Sequence, residues 1–147
     1  MPLQVDTQQG RWVNRLGYAG LIPFVCGALL MFLVADDVQP LVAIALTSYG
    51  AVIASFLGGI HWGLGLRDNT TWRTFHLIWG VTPSLLAWVA VIMPAYAGLP
   101  LLGLLLLTCY LVDRKTWPAA GLRQWMTLRF RLTLVSVLSC LLGAAAA

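Results

Sequence analysis

Five long apolar runs, Leu16 to Ala35, Leu41 to Leu64, Phe75 to Met93, Gly98 to Val112 and Leu128 to Ala147, occupy most of this chain. A helix needs about 20 apolar residues to cross the hydrocarbon core of a bilayer, so four runs are long enough and the fourth is marginal. Continuous apolarity selects helices over barrel strands, which alternate, and a helix satisfies all its backbone polar groups within one segment. Composition agrees, with 60% of residues hydrophobic and 10% charged and a mean hydropathy of +0.84, beyond soluble domains. The expectation is an all-α membrane protein, a five-transmembrane-helix bundle forming one integral membrane domain over residues 1–147. Its spans fall at about 16–35, 41–64, 75–93, 98–112 and 128–147, the fourth helix short, tilted or partly re-entrant.

All nine Lys and Arg residues stand in segments that this arrangement puts on one side of the membrane: Arg11 and Arg15, Arg67 and Arg73, then Arg114, Lys115, Arg123, Arg129 and Arg131. The opposite connections carry Asp36 and Asp37 and the neutral stretch from Pro94 to Leu99. The positive-inside rule therefore predicts a cytoplasmic N-terminus and a periplasmic C-terminus. The net charge of +4 then reflects topology and anionic headgroups at the cytoplasmic face. Nucleic-acid binding is disfavoured, because the charges sit in short loops and form no separate module. Cleavage as a secretory signal is disfavoured too: the first run is long for a signal core, and a cut after Ala35 would have Leu33 where a small residue is wanted. Residues 1–10 lack arginine and do not read as a mitochondrial presequence. A bacterial inner membrane is the expected location. Cys26, Cys109 and Cys140 lie inside apolar runs without paired spacing, and read as packing residues.

At about 100° per residue the second helix separates into unlike faces. Ile53, Phe56, Leu57, Ile60 and Leu64 share one side, while Gly50, Ala54 and Gly58, and Ala51, Ser55, Gly59 and Gly63, make most of the rest. Small residues at four-residue spacing let helix backbones approach, which predicts a central helix. His61 falls in line with Gly50 and Ala54, where neighbouring helices would shield an ionisable group from lipid. On the third helix His76, Gly80, Pro83 and Ala87 share a face, and Pro83 should free the carbonyl of Trp79 and kink the helix, Thr82, Ser84 or a water partly compensating. The segment from Trp117 to Arg131 reads as an interfacial helix, about 117–127, running into the last span with its arginines snorkelling to phosphates.

A polar cluster at the inner boundary follows, with His61, Tyr49, Trp62, His76, Asp113 and Arg67 as its candidate members. Paired histidines could ligate haem iron or a metal, or bind a quinone carbonyl. Against haem, His61 should lie a turn or more inside its helix and His76 almost at the water interface, bonding to loop backbone. A quinone or lipid head pocket near His61, Trp62 and Tyr49, or a proton or solute path, stays open, although internal repeats and several mid-membrane ionisable groups are lacking. Trp12, Trp62, Trp72, Trp117 and Trp125 are better explained as an aromatic belt. There is no glutamate, no Walker motif, no Gly-x-Ser-x-Gly and no His-Glu-x-x-His, so no catalytic residue and no metal ligand set is assigned, and no cofactor is predicted.

The stretches LGYAGLIPF at 16–24, YGAVIASFLGGIHWG at 49–63, WGVTPSLLAW at 79–88 and YLVD at 110–113 resemble an uncharacterised family of bacterial and mitochondrial multi-spanning membrane proteins that includes transmembrane protein 69. The resemblance covers nearly the whole chain and its central stretch is specific. It implies a several-span inner-membrane protein and brings no activity or catalytic residues. Occurrence in bacteria and mitochondria makes a respiratory complex a reasonable partner. The leading expectation is thus a noncatalytic accessory, assembly or stabilising protein of another membrane complex, with a redox-linked quinone, lipid or haem protein using His61, Tyr49 and Asp113 and a small transporter as the rivals.

Overall fold

The computed structural model describes residues 7–147, so part of the stretch 1–10 weighed above lies outside the described residues. Among the described residues six α-helices follow one another: α1 (Thr7–Ala19), α2 (Ile22–Leu33), α3 (Gln39–Gly65), α4 (Arg73–Ile92), α5 (Ala95–Thr116) and α6 (Met126–Ala146). Five helical segments are long and apolar enough to cross a membrane, α1 and α2 together making the first. That first span is broken at Gly20 and Leu21, just before Pro23, which lacks a backbone donor and fits only the opening turn of α2. Tyr49 on α3 closes the break by donating its hydroxyl to the Gly20 carbonyl at 2.7 Å.

The fourth span is not short. α5 is 22 residues long, because the helix continues past the last apolar residue, Val112, through Asp113 and Thr116, whose side chains are buried inside the bundle. The segment 117–127 differs as well: it is no continuous interfacial helix but two short 3-10 turns, Pro118–Ala120 and Arg123–Trp125, separated at Gly121, whose φ of +80° ends the first turn.

α3 is the central helix, packed on α2, α4, α5 and α6. Its small residues make a close approach at Gly58, where a Cβ would run into the Gly80 carbonyl of α4. Gly50 lies against Leu102, and Ala54 is fully buried. The predicted packing role fails for Gly59 and Gly63, which face outward. A Cβ at either would have no neighbour within 4 Å. Pro83 is buried and α4 continues through it. Thr82 and Ser84 bond the carbonyls of Ile78 and Val81, not the carbonyl of Trp79. Phe24, Leu46, Leu99, Leu102 and Leu106 fill the apolar centre with Cys109 and Cys140. All three cysteines are free thiols, Cys26 facing outward.

A buried polar chain across four helices

One turn inside the basic end of the bundle, four helices each contribute a buried polar side chain. His76 of α4, His61 of α3, Asp113 of α5 and Arg129 of α6 are 2%, 1%, 1% and 6% exposed. They form one continuous chain. His76 Nδ1 and His61 Nδ1 are 2.8 Å apart, His61 Nε2 is 2.6 Å from Asp113 Oδ1, and Arg129 Nε donates to Asp113 Oδ2 at 2.9 Å. Arg129 Nη1 then donates to Thr133 Oγ1, one turn further along α6, at 2.6 Å.

The proton positions follow from the acceptors. Asp113, beside a guanidinium, is ionised and accepts only, so His61 donates from Nε2. A neutral His61 then accepts at Nδ1, and His76 must donate from its own Nδ1. The Asp113 carboxylate and the Arg129 guanidinium already balance, so neutral rings keep the buried cluster free of net charge. Histidine-selective 15N NMR should therefore find the His61 proton on Nε2 and the His76 proton on Nδ1; the opposite tautomers would break this assignment. His61→Ala strands Asp113 Oδ1 and His76 Nδ1, and unfolding in mixed micelles should show a loss of about 1–3 kcal/mol for each buried group left unpaired.

The helix register explains the meeting. The residues lie about a turn from the ends of their helices at the basic face, His61 before the end of α3, His76 after the start of α4, Asp113 before the end of α5 and Arg129 after the start of α6. The close Gly58–Gly80 contact draws α3 and α4 together just where the two imidazoles must touch. Between α3 and α4 the loop turns back through Asn69 and Trp72, both at positive φ. Thr70 Oγ1 secures it by bonding the Leu64 and Arg67 carbonyls, each at 2.8 Å. His76, Thr116 and that loop line a small crevice of about 80 Å³ at the basic end.

The chain belongs to the DUF3429 family. That family's model, described as a protein of unknown function, matches residues 10–145. The chain is 39% identical over 131 residues to transmembrane protein 69 of Xenopus tropicalis, covering 84% of this chain and 50% of that protein. Transmembrane protein 69 of Mus musculus is 36% identical over 76 residues, or 50% of this chain and 31% of that protein. The chain thus spans half or less of the length of these curated relatives. No solved structure matches it.

Membership and the five apolar helices make this a multi-pass membrane protein of the transmembrane protein 69 kind. Of the six candidate site residues, His61, His76 and Asp113 come together. His76 is not at the water interface bonding loop backbone; it is buried level with His61, because their rings bond one another. Tyr49 is held three turns away at the Gly20 carbonyl. Trp62 bonds the Leu77 carbonyl from the outer surface, and Arg67 the Ala120 carbonyl in the loops. Arg129, expected to snorkel, points inward instead, its guanidinium 6.0 Å from the centre of the Trp117 ring. The imidazoles do not oppose one another across a metal, since two metal–nitrogen bonds of about 2 Å each exceed their separation of 2.8 Å. Among the described residues no three His, Cys, Asp or Glu side chains are placed to hold a metal ion.

Proposed function

We propose that this protein is a noncatalytic accessory of another membrane complex, which it assembles with or stabilises through the outer face of α3. The observation that carries this reading is the open space at Gly59 and Gly63, where a Cβ would meet nothing within 4 Å. Glycine inside a helix costs about 0.8–1 kcal/mol relative to alanine, and here a Cβ at neither position would meet a neighbour among the described residues. With Ser55 they form an outward stripe at four-residue spacing, flanked by the exposed Val52 and Phe56. This is the kind of surface on which a helix of another membrane protein packs closely. The Ser55 hydroxyl is satisfied by the Ala51 carbonyl at 2.9 Å, so it adds no unpaired donor to that face. The buried chain supports the same reading, because both His61 nitrogens and both Asp113 oxygens are engaged within the bundle. A respiratory complex of a bacterial inner membrane is the setting this reading expects.

The test is purification in mild detergent from the native host, comparing the wild type with Gly59→Leu/Gly63→Leu. The variant should fold and accumulate normally yet lose the co-purifying complex. Retention of that complex at wild-type ratio, or recovery of the wild type without any, would sink the proposal.

A ligand-linked reading, with a quinone, lipid or haem near His61, is favoured by one observation. The hydrogen-bonded chain runs without interruption from the crevice at His76 to Arg129. An absorption spectrum of the purified protein tests for haem, and solvent extraction tests for quinone.

A further inference from the structure

On the outer surface, at the basic end of the bundle, a groove of about 450 Å³ lies between the start of α4 and the end of α5. Trp72 and Phe75 line it from one side, Val112, Lys115 and Thr116 from the other. Both aromatic rings are exposed, and Phe75 is backed by Trp79, whose ring lies parallel to its own at 6.5 Å. The groove is amphipathic along its length. Lys115 stands in the last turn of α5, and Val112, three residues earlier, lies about 4.5 Å deeper along the helix. In the same way Trp72 caps α4 and Phe75 lies inside its first turn. The cation and the indole thus mark the outer end of the groove, and the apolar side chains lead from it toward mid-span.

Lys115 has no acid to pair with among the described residues. Asp113, two positions before it, turns inward to His61 and Arg129. Asp36 and Asp37 stand in the connection between α2 and α3, at the opposite end of the bundle, and Asp68 in the loop before α4 forms no ion pair. Neither the Lys115 ammonium nor the Trp72 indole N–H makes a hydrogen bond among the described residues. The first turn of α4 holds no acidic residue and no side-chain cap, so the positive end of that helix adds to the potential at the groove mouth. A second outer groove, of about 100 Å³ between α5 and α6, is lined by Tyr110, Phe130 and aliphatic neighbours and carries no charge. The cation therefore singles out the first.

We infer that this groove binds an anionic phospholipid of the leaflet at the basic end, with its phosphate on the Lys115 ammonium and the Trp72 indole N–H and one acyl chain along Phe75 and Val112. Charge complementarity selects the occupant. Lysine binds phosphate as a point charge, and basic pockets between helix ends take anionic headgroups. A headgroup of net negative charge balances Lys115, whereas a zwitterionic one brings its own cation and leaves Lys115 without a counterion. The apolar stretch below the charge matches the acyl chain in direction as well as in chemistry, since headgroup and tail are ordered along the helix axes in the same sense as in the leaflet. The inference does not depend on the α3 stripe, and either can fail alone.

The test uses the full chain in mild detergent, titrated separately with dioleoylphosphatidylglycerol, dioleoylphosphatidylcholine and oleate. Native mass spectrometry counts bound lipid and protein copies together. Phosphatidylglycerol should fill one saturable site ahead of phosphatidylcholine. Lys115→Gln should weaken phosphatidylglycerol about fivefold and leave phosphatidylcholine unchanged. Arg114→Gln, the same loss of charge one residue along and outside the groove, should bind as wild type. Val112→Trp fills the apolar part without altering the charge and should abolish the site; if it does not accumulate, the comparison of the two glutamine variants, both at exposed positions, still decides. Equal losses in those two variants would reduce the effect to diffuse surface charge. Equal affinity for phosphatidylcholine, tighter binding of oleate, or a lipid-free dimer broken by Val112→Trp would give the groove to another occupant. Any of these results overturns the inference.

Discussion

Asp113→Ala should destabilise the bundle by about 3–5 kcal/mol, the cost of leaving a buried cation without its partner. Asp113 is 1% exposed and accepts from both His61 and Arg129. Its removal strands a guanidinium between α5 and α6 and deprives an imidazole of its acceptor. Arg129 is 6% exposed and packs against Trp117. The double replacement Asp113→Leu/Arg129→Leu separates the value of the pair from the penalty of breaking it. Replacing a whole buried pair by apolar residues is often neutral or stabilising, so the double variant should recover most of the loss. Unfolding of all three proteins in mixed micelles supplies the comparison. A loss below about 1 kcal/mol for Asp113→Ala would show that the ion pair is not closed to water.

Gly58→Leu should be among the most damaging changes in the apolar part of the molecule. Even the first carbon of its side chain would collide with the Gly80 carbonyl, a backbone atom fixed in α4 that cannot rotate away. Overpacking ordinarily costs about 1–3 kcal/mol, and backbone-on-backbone contact leaves less room to relax, so we expect loss of accumulation in the membrane. Gly59→Leu, one residue along, should accumulate as wild type, because its side chain enters open space. Equal yields of the two single variants would contradict the α3–α4 packing. The contrast also separates bundle stability from the partner surface, since only the second glycine belongs to the outer stripe.

The spans are legible in the sequence as apolar runs, the central place of α3 in its small residues, and three of the four members of the polar chain in their position relative to those runs. His61 and His76 lie within apolar runs, where an ionisable group must turn inward, and Asp113 directly follows the fourth run. Arg129 gives no such signal. It follows a basic segment at the edge of a run, where snorkelling accounts equally well for a long cation, and only the carboxylate across α5 decides its direction. Gly59 and Gly63 show a related limit: periodicity sorts residues into faces, but both small faces of α3 read alike, and only the position of α4 tells which is covered. Tyr49 shares α3 with His61 but does not share a pocket with it. Twelve residues of helix, at about 1.5 Å each, place it some 18 Å away, at the break in the first span.

The break at Gly20 and the pairing of α5 with α6 concern the finished protein, but the ion pair also bears on its manufacture. Asp113 is translated before Arg129, so the carboxylate is in place when the last helix emerges. Segment Arg123–Ala146 is the least apolar of the five spans, at mean hydropathy 1.6, and Arg129 near its start adds to the cost of entering the bilayer, though less than an arginine at mid-span would. The waiting carboxylate offsets that cost only when the earlier helices are correctly arranged. With the earlier helices in place, the ion pair favours docking of the last one, so the order of synthesis works with the fold.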